Sequence, residues 1–86
     1  MYYVYVIKSR KDTNYYIGYT CDLDKRITEH NDGMSKSTQY RRPFELAYYE
    51  ACRNSKDAMH REKYLKTTYG HRYLQTRMKN DNLAVL

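Results

Sequence analysis

The sequence predicts a single α+β domain with the element order β-β-α-β-α-α. Three observations favour this class. The chain has 86 residues, which is the length of one small domain. Two early segments rich in β-branched and aromatic residues flank a polar turn, as in a β-hairpin. Later segments carry apolar residues at helical spacing between capping and stop residues, as α-helices do.

The chain begins with the predicted hairpin. Its strands are Tyr2–Ile7 and Tyr15–Thr20, and residues 9–14 form the polar turn between them. Successive side chains on a strand point to opposite faces. Tyr5 and Tyr16 could therefore lie on the same side of the sheet, but the sequence leaves the register open.

The first helix is predicted over about Asp22–Asn31. Asp22 is a suitable N-cap, and Gly33 is a suitable stop. Arg26 and His30 are one helical turn apart and flank the apolar stripe. We therefore expect both side chains to point toward the core or lie beside it.

A basic loop over residues 34–42 is predicted to lead into a third strand, Phe44–Glu50. Period-two alternation places Phe44, Leu46 and Tyr48 on one face of that strand.

Two helices complete the predicted domain. The first runs from about Lys56 to Tyr69, with Ser55 as N-cap and Gly70 as C-cap. A shorter helix covers His71–Met78. The domain then spans residues 1–78, and the tail over residues 79–86 is expected to fray.

Charge indicates the class of partner. The net charge is +6 and the pI is about 9.3, an excess that favours an anionic partner, most often nucleic acid. Simple solubility is the alternative. The apolar runs are too short to span a bilayer, and the N-terminus does not read as a signal peptide, so no membrane partner is expected. Two cysteines are too few for a disulfide framework, which favours the cytoplasm.

A carboxylate on an apolar helical stripe is the most informative single position. Glu62 lies four residues after Ala58 and three before Leu65. Such a group has to be paired, protonated, bound to a metal or placed at the edge of a pocket. The alternatives are an ion pair with Arg26 or Lys66, or a hard-cation site, since Mg²⁺ takes one or two carboxylates and keeps several waters.

The other candidate residues also have structural alternatives. Arg26 could bridge to Asp22, and His30 could cap its helix as a cation. Together they could instead clamp a phosphate, with His30 as a donor or proton shuttle. Tyr5 and Tyr16 could simply pack. A phenol accepts a proton from water only if its pKa falls well below about 10, which Arg26 and a metal would favour.

Taken in chain order, these residues resemble the GIY-YIG nuclease domain over almost the whole sequence. The resemblance rests on Tyr3-Val4-Tyr5 in the first strand, Tyr16-Ile17-Gly18 in the second, and then Arg26, His30 and Glu62. The second motif is intact, whereas Tyr3 and Val4 stand where the first motif has Gly and Ile. The sequence looks like the small standalone bacterial members.

The resemblance implies a three-stranded antiparallel sheet flanked by helices, and metal-dependent hydrolysis of a nucleic-acid phosphodiester. Of Tyr5 and Tyr16, one would orient or deprotonate the attacking water and the other would support it. Arg26 would hold the scissile phosphate, and His30 would assist proton transfer. Glu62 would bind a single divalent metal, with Mg²⁺ expected and Mn²⁺ as the alternative.

Nucleic acid is the expected partner, DNA rather than RNA, with a role in repair or recombination. Four basic residues are expected to bind the flanking backbone through sequence-independent charge: Lys36, Arg41, Arg42 and Lys63. A late Asn serves in some family members, and Asn80 and Asn82 are the candidates. The alternative function is a basic nucleic-acid binding module with little or no cleavage of its own, for which a protein partner would provide targeting.

Overall fold

The computed structural model describes residues 1–81, which form a three-stranded antiparallel sheet and three α-helices. The strands are β1 (Tyr2–Ser9), β2 (Tyr15–Thr20) and β3 (Phe44–Cys52), and their order in the sheet is β2-β1-β3. The helices are α1 (Leu23–Asn31), α2 (Ser55–Leu65) and α3 (Thr68–Arg77), and a 3₁₀ turn covers Gln39–Arg41. The predicted α+β class and the order β-β-α-β-α-α are confirmed.

The pairing of β1 with β2 decides which side chains share a face. Tyr5 lies opposite Gly18, and Ile7 lies opposite Tyr16. Tyr5 and Tyr16 therefore point to the same side of the sheet, as the alternation allowed. This side, which carries α1, is called the α1 face below.

Each face of the sheet buries its own apolar cluster. On the α1 face, Tyr5, Ile7 and Phe44 are buried beneath Leu23 and Ile27 of α1. The opposite face packs against α2 and α3 through a larger cluster: Val4, Val6, Ile17, Ala58, Leu65, Leu74 and Met78. Full burial of one aliphatic side chain stabilises a fold by about 1.5–3 kcal/mol, so the larger cluster supplies most of the apolar stabilisation.

A β-bulge interrupts β3. Val6 pairs with Tyr48, whereas the next residue of β1, Ile7, pairs with Leu46. Ala47 is therefore an extra residue in β3 that has no pairing partner on β1. The bulge inverts the alternation of side chains along the strand.

The inversion corrects the predicted face of the third strand. Phe44 packs in the cluster on the α1 face, whereas Tyr48 packs against the opposite cluster. The prediction that Phe44, Leu46 and Tyr48 share one face is therefore wrong. The strand also continues past the predicted end at Glu50, as far as Cys52.

The boundary between α2 and α3 also differs from the prediction. The side chain of Asn54, not of Ser55, caps α2 by accepting a hydrogen bond from a backbone amide. The helix ends at Leu65 rather than Tyr69. Thr67 then caps α3 through a hydrogen bond from the amide of the residue three positions on.

Gly70 lies inside α3 and does not end α2. A Cβ at this position would overlap the backbone of Tyr64 and Leu65, so the residue allows the two helices to approach closely. Tyr69, the predicted last residue of α2, instead lies in α3 and is 69% exposed. The predicted C-cap was wrong because a glycine needed for packing resembles one needed for a turn.

A partly buried ion pair joins β3 to α2. Arg61 donates two hydrogen bonds to the carboxylate of Glu50, with N···O distances of 2.8 and 3.1 Å. The same guanidinium lies 4.5 Å from the ring centroid of Tyr73 on α3. Bidentate pairs of this kind restrict geometry more than single contacts do, so the edge strand and both helices are held in one arrangement.

Beyond α3, Asp81 contacts the hairpin. Its carboxylate accepts a hydrogen bond of 2.6 Å from the hydroxyl of Tyr15. Residues 82–86, which belong to the tail that we expect to fray, lie outside the described residues. Within residues 1–81, no helix is both long enough and apolar enough to cross a bilayer.

Substitution of Gly18 by alanine is expected to disturb the site as well as the fold. A Cβ at Gly18 would overlap the ring and hydroxyl of Tyr5. We expect Gly18→Ala to lower the free energy of unfolding by about 1–3 kcal/mol, because overpacking forces the ring to move. Urea denaturation measures the loss, and the NMR signals of the Tyr5 ring report its displacement.

Gly33→Ala is the matched control. A Cβ at Gly33 meets only the movable end of the Arg42 side chain, although the residue has a φ of +78°. This variant is expected to cost about 1 kcal/mol in backbone strain and to leave the Tyr5 signals in place. An unchanged Tyr5 environment in Gly18→Ala would contradict the role assigned to Gly18.

Candidate active site

A buried chain of hydrogen bonds connects β1, α1 and the loop that follows α1. The hydroxyl of Tyr5 lies 2.7 Å from Nε2 of His30, and Nδ1 of His30 lies 2.7 Å from Oγ1 of Thr38. All three residues are at most 1% exposed. Each ring nitrogen of the histidine therefore has one polar partner, as buried polar groups require.

His30 is neutral at physiological pH. Burial lowers the pKa of His30 to about 4, and the positive charge of Arg26 acts in the same direction. Two tautomers fit the hydrogen bonds: Nε2 accepts from Tyr5 while Nδ1–H donates to Thr38, or both directions are reversed. A cationic helix cap, the structural alternative for this histidine, is therefore wrong.

Burial raises the pKa of Tyr5 to about 12. Arg26 opposes the rise, whereas the negative charge of Glu62 adds to it. Arg26 lowers the pKa of Tyr5, as expected, but in the protein chain alone desolvation outweighs that effect. At pH 7 Tyr5 is therefore a neutral phenol that is hydrogen-bonded to His30.

Tyr16 packs beside the same histidine. Its ring meets that of His30 edge-on, with the centroids 5.3 Å apart. Ser37 donates a hydrogen bond to the Tyr16 hydroxyl at 3.4 Å. Tyr16, the tyrosine of the second motif, therefore lies at the open side of the buried hydrogen bonds, where its hydroxyl contacts the loop after α1.

Arg26 lies beside this group and is partly exposed. Its guanidinium pairs with Glu29 at 3.2 Å, with 32% of the Arg26 side chain exposed. The predicted alternative, a bridge to Asp22, is absent from the described ion pairs. Asp22 instead accepts a hydrogen bond from the Lys25 amide as the N-cap of α1. The guanidinium can therefore meet an anion that approaches from solvent.

Glu62 lies on α2, which packs on the face of the sheet opposite α1, and its negative charge raises the pKa of Tyr5. It also pairs with Lys66 at 3.2 Å, and 22% of its side chain is exposed. The ion-pair alternative is therefore present in the structure. A pair of this type on one helix contributes only about 0.3–0.5 kcal/mol, too little to exclude a cation from the carboxylate.

The donor set limits which metal the site can hold. Residues 1–81 contain no group of three or more His, Cys, Asp or Glu side chains arranged to bind a metal. Zinc sites need three or four such protein ligands, whereas Mg²⁺ takes one or two carboxylates and keeps several waters. Glu62 alone therefore fits a hydrated Mg²⁺ or Mn²⁺ and does not fit zinc.

Arg41, one of the four basic residues expected to bind nucleic acid, is engaged within the fold. Its guanidinium donates to the carboxylate of Asp12 at 2.6 and 3.3 Å and lowers the pKa of Asp12 to about 2. It also packs over the ring of Phe44, 5.5 Å from the centroid. These contacts give Arg41 a structural role.

The other three basic residues are exposed. Arg42 donates a hydrogen bond of 2.7 Å to the carbonyl of Gln39, which holds its guanidinium beside the 3₁₀ turn. Lys36 lies on the loop after α1, and Lys63 follows Glu62 on α2. All three side chains are therefore accessible to a polyanion that binds at the protein surface.

Sequence reasoning assigned no role to Ser37 or Thr38. Both lie in the basic loop, and hydroxyl residues are common in loops, so no sequence signal distinguished them. Asn80, one of two late asparagine candidates, is exposed after α3. The second candidate, Asn82, lies outside the described residues.

The fold and the tyrosine-centred site define a nuclease-type domain. Residues 1–78 match the GIY-YIG catalytic domain family. Because this match covers most of the chain, the protein belongs to the GIY-YIG family, a nuclease superfamily whose members act on nucleic acid and generally use divalent metals. The resemblance found in the sequence is confirmed.

The relatives of the chain are bacterial UPF0213 proteins. The chain is 46% identical over 66 residues to the UPF0213 protein YazA of Bacillus subtilis, covering 76% of this chain and 66% of the relative. It is 42% identical over 76 residues to a UPF0213 protein of Clostridium perfringens, covering 87% and 81%. The solution NMR structure of a UPF0213 protein from Bacillus halodurans matches with a TM-score of 0.55 at 30% identity, covering 98% of this chain and 97% of the other.

Acidification is expected to destabilise the fold through His30. An unfolded histidine titrates near 6.5, whereas His30 in the fold has a pKa of about 4, so between these values the unfolded chain binds the proton more readily. The contribution is present above pH 6.5 and is lost as the pH falls to 4. We expect a loss of about 2–3 kcal/mol between pH 7 and 4.5 by urea denaturation.

His30→Gln isolates this contribution. Carboxylates also titrate on acidification, but they do so equally in the wild type and in the variant. The variant is expected to be less stable at pH 7 and to show a smaller loss between pH 7 and 4.5. An equal pH dependence in the two proteins would show that His30 is not the titrating group.

Proposed function

We propose that this protein is a metal-dependent endonuclease that hydrolyses phosphodiester bonds in DNA. One observation carries the proposal: Tyr5 and His30 share a buried hydrogen bond, and the ring of Tyr16 packs against His30. The charges of Arg26 and Glu62 both act on the Tyr5 hydroxyl. Membership of the GIY-YIG family supports a nuclease. The choice of DNA, the metal dependence and the residue roles are our proposals.

Tyr5 would activate water by relaying a proton. Its hydroxyl takes a proton from the attacking water and passes its own proton to Nε2 of His30. The relay avoids a free phenolate, which the raised pKa of Tyr5 makes costly, and it leaves a positive charge on His30, which the negative phosphate of the substrate would offset. Since His30 is neutral at pH 7, its Nε2 can accept the proton in the tautomer whose Nδ1–H donates to Thr38.

Arg26 would hold the scissile phosphate and stabilise the charge that develops on it. Its planar guanidinium can donate two parallel hydrogen bonds to phosphate oxygens. Tyr16, at the open side of the histidine, would position the water or the phosphate. Glu62 would hold a divalent cation, Mg²⁺ by its donor chemistry, and this ion supplies charge stabilisation at the leaving oxygen when bound.

The exposed cations would bind the flanking backbone. Lys36, Arg42 and Lys63 fit this role, and it no longer includes Arg41, which pairs with Asp12. Contacts to phosphate position a protein without reading sequence. We therefore propose that DNA structure or a protein partner directs cleavage, as in repair or recombination. We also place the protein in the cytoplasm, since two cysteines are too few for a disulfide framework.

The second candidate function is a nucleic-acid binding module with little or no cleavage of its own. Two ion pairs favour it. Arg26 pairs with Glu29, and Glu62 pairs with Lys66, so both groups needed for catalysis have partners within the fold. Substrate and metal would have to displace these contacts.

Removal of the phosphate clamp or of the metal ligand is expected to slow cleavage strongly. We expect Arg26→Ala and Glu62→Gln each to reduce the rate by about 10²–10³-fold, the usual loss for one preorganised charge-stabilising group. The assay is nicking of branched, flapped and single-stranded DNA with Mg²⁺. Circular dichroism verifies that each variant is folded.

Neighbouring exposed residues provide the matched controls. Lys25→Ala removes a cation next to Arg26, and Asp57→Asn removes a carboxylate from the first turn of α2. Both are expected to cleave like the wild type. Undiminished cleavage by Arg26→Ala and Glu62→Gln would refute the assigned roles. Steeply salt-dependent binding without cleavage under any metal would favour the binding module instead.

The basic residues are expected to separate by role. Lys36→Ala and Lys63→Ala should each reduce the salt dependence of duplex binding by about one phosphate contact, a change of about 0.9 in the slope of log K against log salt. Arg41→Ala should instead lower stability by about 1 kcal/mol, since it loses an ion pair and the packing over Phe44. Anisotropy titrations and urea denaturation measure the two effects. Equal effects of all three variants on the slope would contradict the separation.

A further inference from the structure

A groove beside the candidate site is not used by the chemistry proposed above. Six residues line it: Lys11, Asn31, Gln39, Tyr40, Arg42 and Pro43. This surface is called the Tyr40 groove. It lies where the hairpin turn, the end of α1 and the loop before β3 meet.

Tyr40 presents its ring to solvent from an ordered backbone. It is 78% exposed, the highest value among the large apolar and aromatic side chains described. It lies in the 3₁₀ turn, and its carbonyl accepts a hydrogen bond of 3.0 Å from Lys11. On either side of it, Thr38 is bonded to His30 and Arg41 to Asp12. An exposed ring on a fixed backbone is a preorganised stacking surface.

The charge of the groove selects an anion. Lys11 and Arg42 both line it, and none of the described residues that line it is acidic. The amide of Asn31 is engaged with the backbone of Phe44 through both of its polar atoms, so it cannot read a base edge. The groove therefore combines an aromatic platform with positive charge, the combination that binds single-stranded nucleic acid.

We propose that the Tyr40 groove binds an unpaired nucleotide, whose base stacks on Tyr40 while Lys11 and Arg42 contact its phosphates. A base pair within a duplex is stacked on both sides and cannot offer its face to the ring. The groove therefore distinguishes a single-stranded segment from duplex, and it adds a substrate class to the proposed nuclease function, on which it rests for its biological meaning.

The groove adjoins the candidate site along two chain segments. Tyr40 follows Thr38 by two residues, a separation of at most about 7 Å between their Cα atoms. Asn31 directly follows His30 at the end of α1. A strand held in the groove would therefore continue toward the cluster of Tyr5, His30 and Arg26, as expected for a substrate with a flap or an unpaired end.

Binding of oligo-dT and of a duplex of equal length tests the proposal. Tyr40→Ala is expected to weaken oligo-dT binding by about 5- to 150-fold, the range for loss of one base stack, and to leave duplex binding within about twofold. Tyr40→Phe keeps the ring and should bind like the wild type. Tyr69→Ala is the matched control, since Tyr69 is also exposed, at 69%, but lies on α3.

Three results would overturn the proposal: oligo-dT binding unaffected by Tyr40→Ala, equal weakening of oligo-dT and duplex binding, or equal weakening by Tyr69→Ala. Photo-crosslinking with 5-iodouracil in the oligonucleotide gives an independent readout. The adduct is expected on the peptide that contains Tyr40. An adduct found only on other peptides would also count against the groove.

The two proposals fail in different ways. If the wild type cleaves nothing but loses oligo-dT binding in Tyr40→Ala, the nuclease proposal fails and the groove stands. If cleavage requires Arg26 but oligo-dT binding is insensitive to Tyr40, the groove fails alone. If both hold, Tyr40→Ala should raise KM on flapped DNA and leave kcat unchanged, because Tyr40 does not touch the reacting atoms.

Discussion

The buried hydrogen bonds that join Tyr5, His30 and Thr38 constrain the rest of this structure. A polar group left unpaired in the interior costs about 1–3 kcal/mol, so three such groups have to be brought together with good geometry. Their bonds tie the central strand to α1 and to the basic loop. The Tyr5 ring occupies the space where Gly18 has no side chain, so the glycine of the second motif is required by packing. The same contacts that stabilise the fold place the candidate catalytic groups.

Burial shifts the pKa values of the two titratable residues in this chain of hydrogen bonds, Tyr5 and His30, in opposite directions. The pKa of Tyr5 rises to about 12, and that of His30 falls to about 4, because desolvation disfavours the charged form of each. Both are neutral over the whole physiological range, so a proton passed from Tyr5 to His30 would place a positive charge on a buried ring. Arg26 and Glu62 set the field around Tyr5 with opposite signs. A bound phosphate or cation would change that balance at the hydroxyl itself.

Some of the positively charged residues stabilise the fold, and others are exposed at the surface. Arg41 and Arg61 form ion pairs and pack over aromatic rings, and these contacts hold the loop and the helices against the sheet. Lys36 and Lys63 extend from the surface. Net charge therefore agrees with the nucleic-acid partner that the family implies, yet it overstates how many cations are available to bind that partner. The abundance of tyrosine has the same double meaning, since these rings occur in the core, over guanidinium groups and on the surface.

The sequence by itself determined the α+β class, the element order and the family. These follow from the local spacing of residues and from motifs, which can be recognised without knowing the tertiary contacts. Alternation along the hairpin was sufficient to allow Tyr5 and Tyr16 on one face. The tertiary structure alone decided the bulge at Ala47, the packing role of Gly70 and the bond from Thr38 to the histidine. Each of these depends on contacts between segments that are far apart in the chain and on the exclusion of water by those contacts. Neither can be predicted from the local spacing of residues.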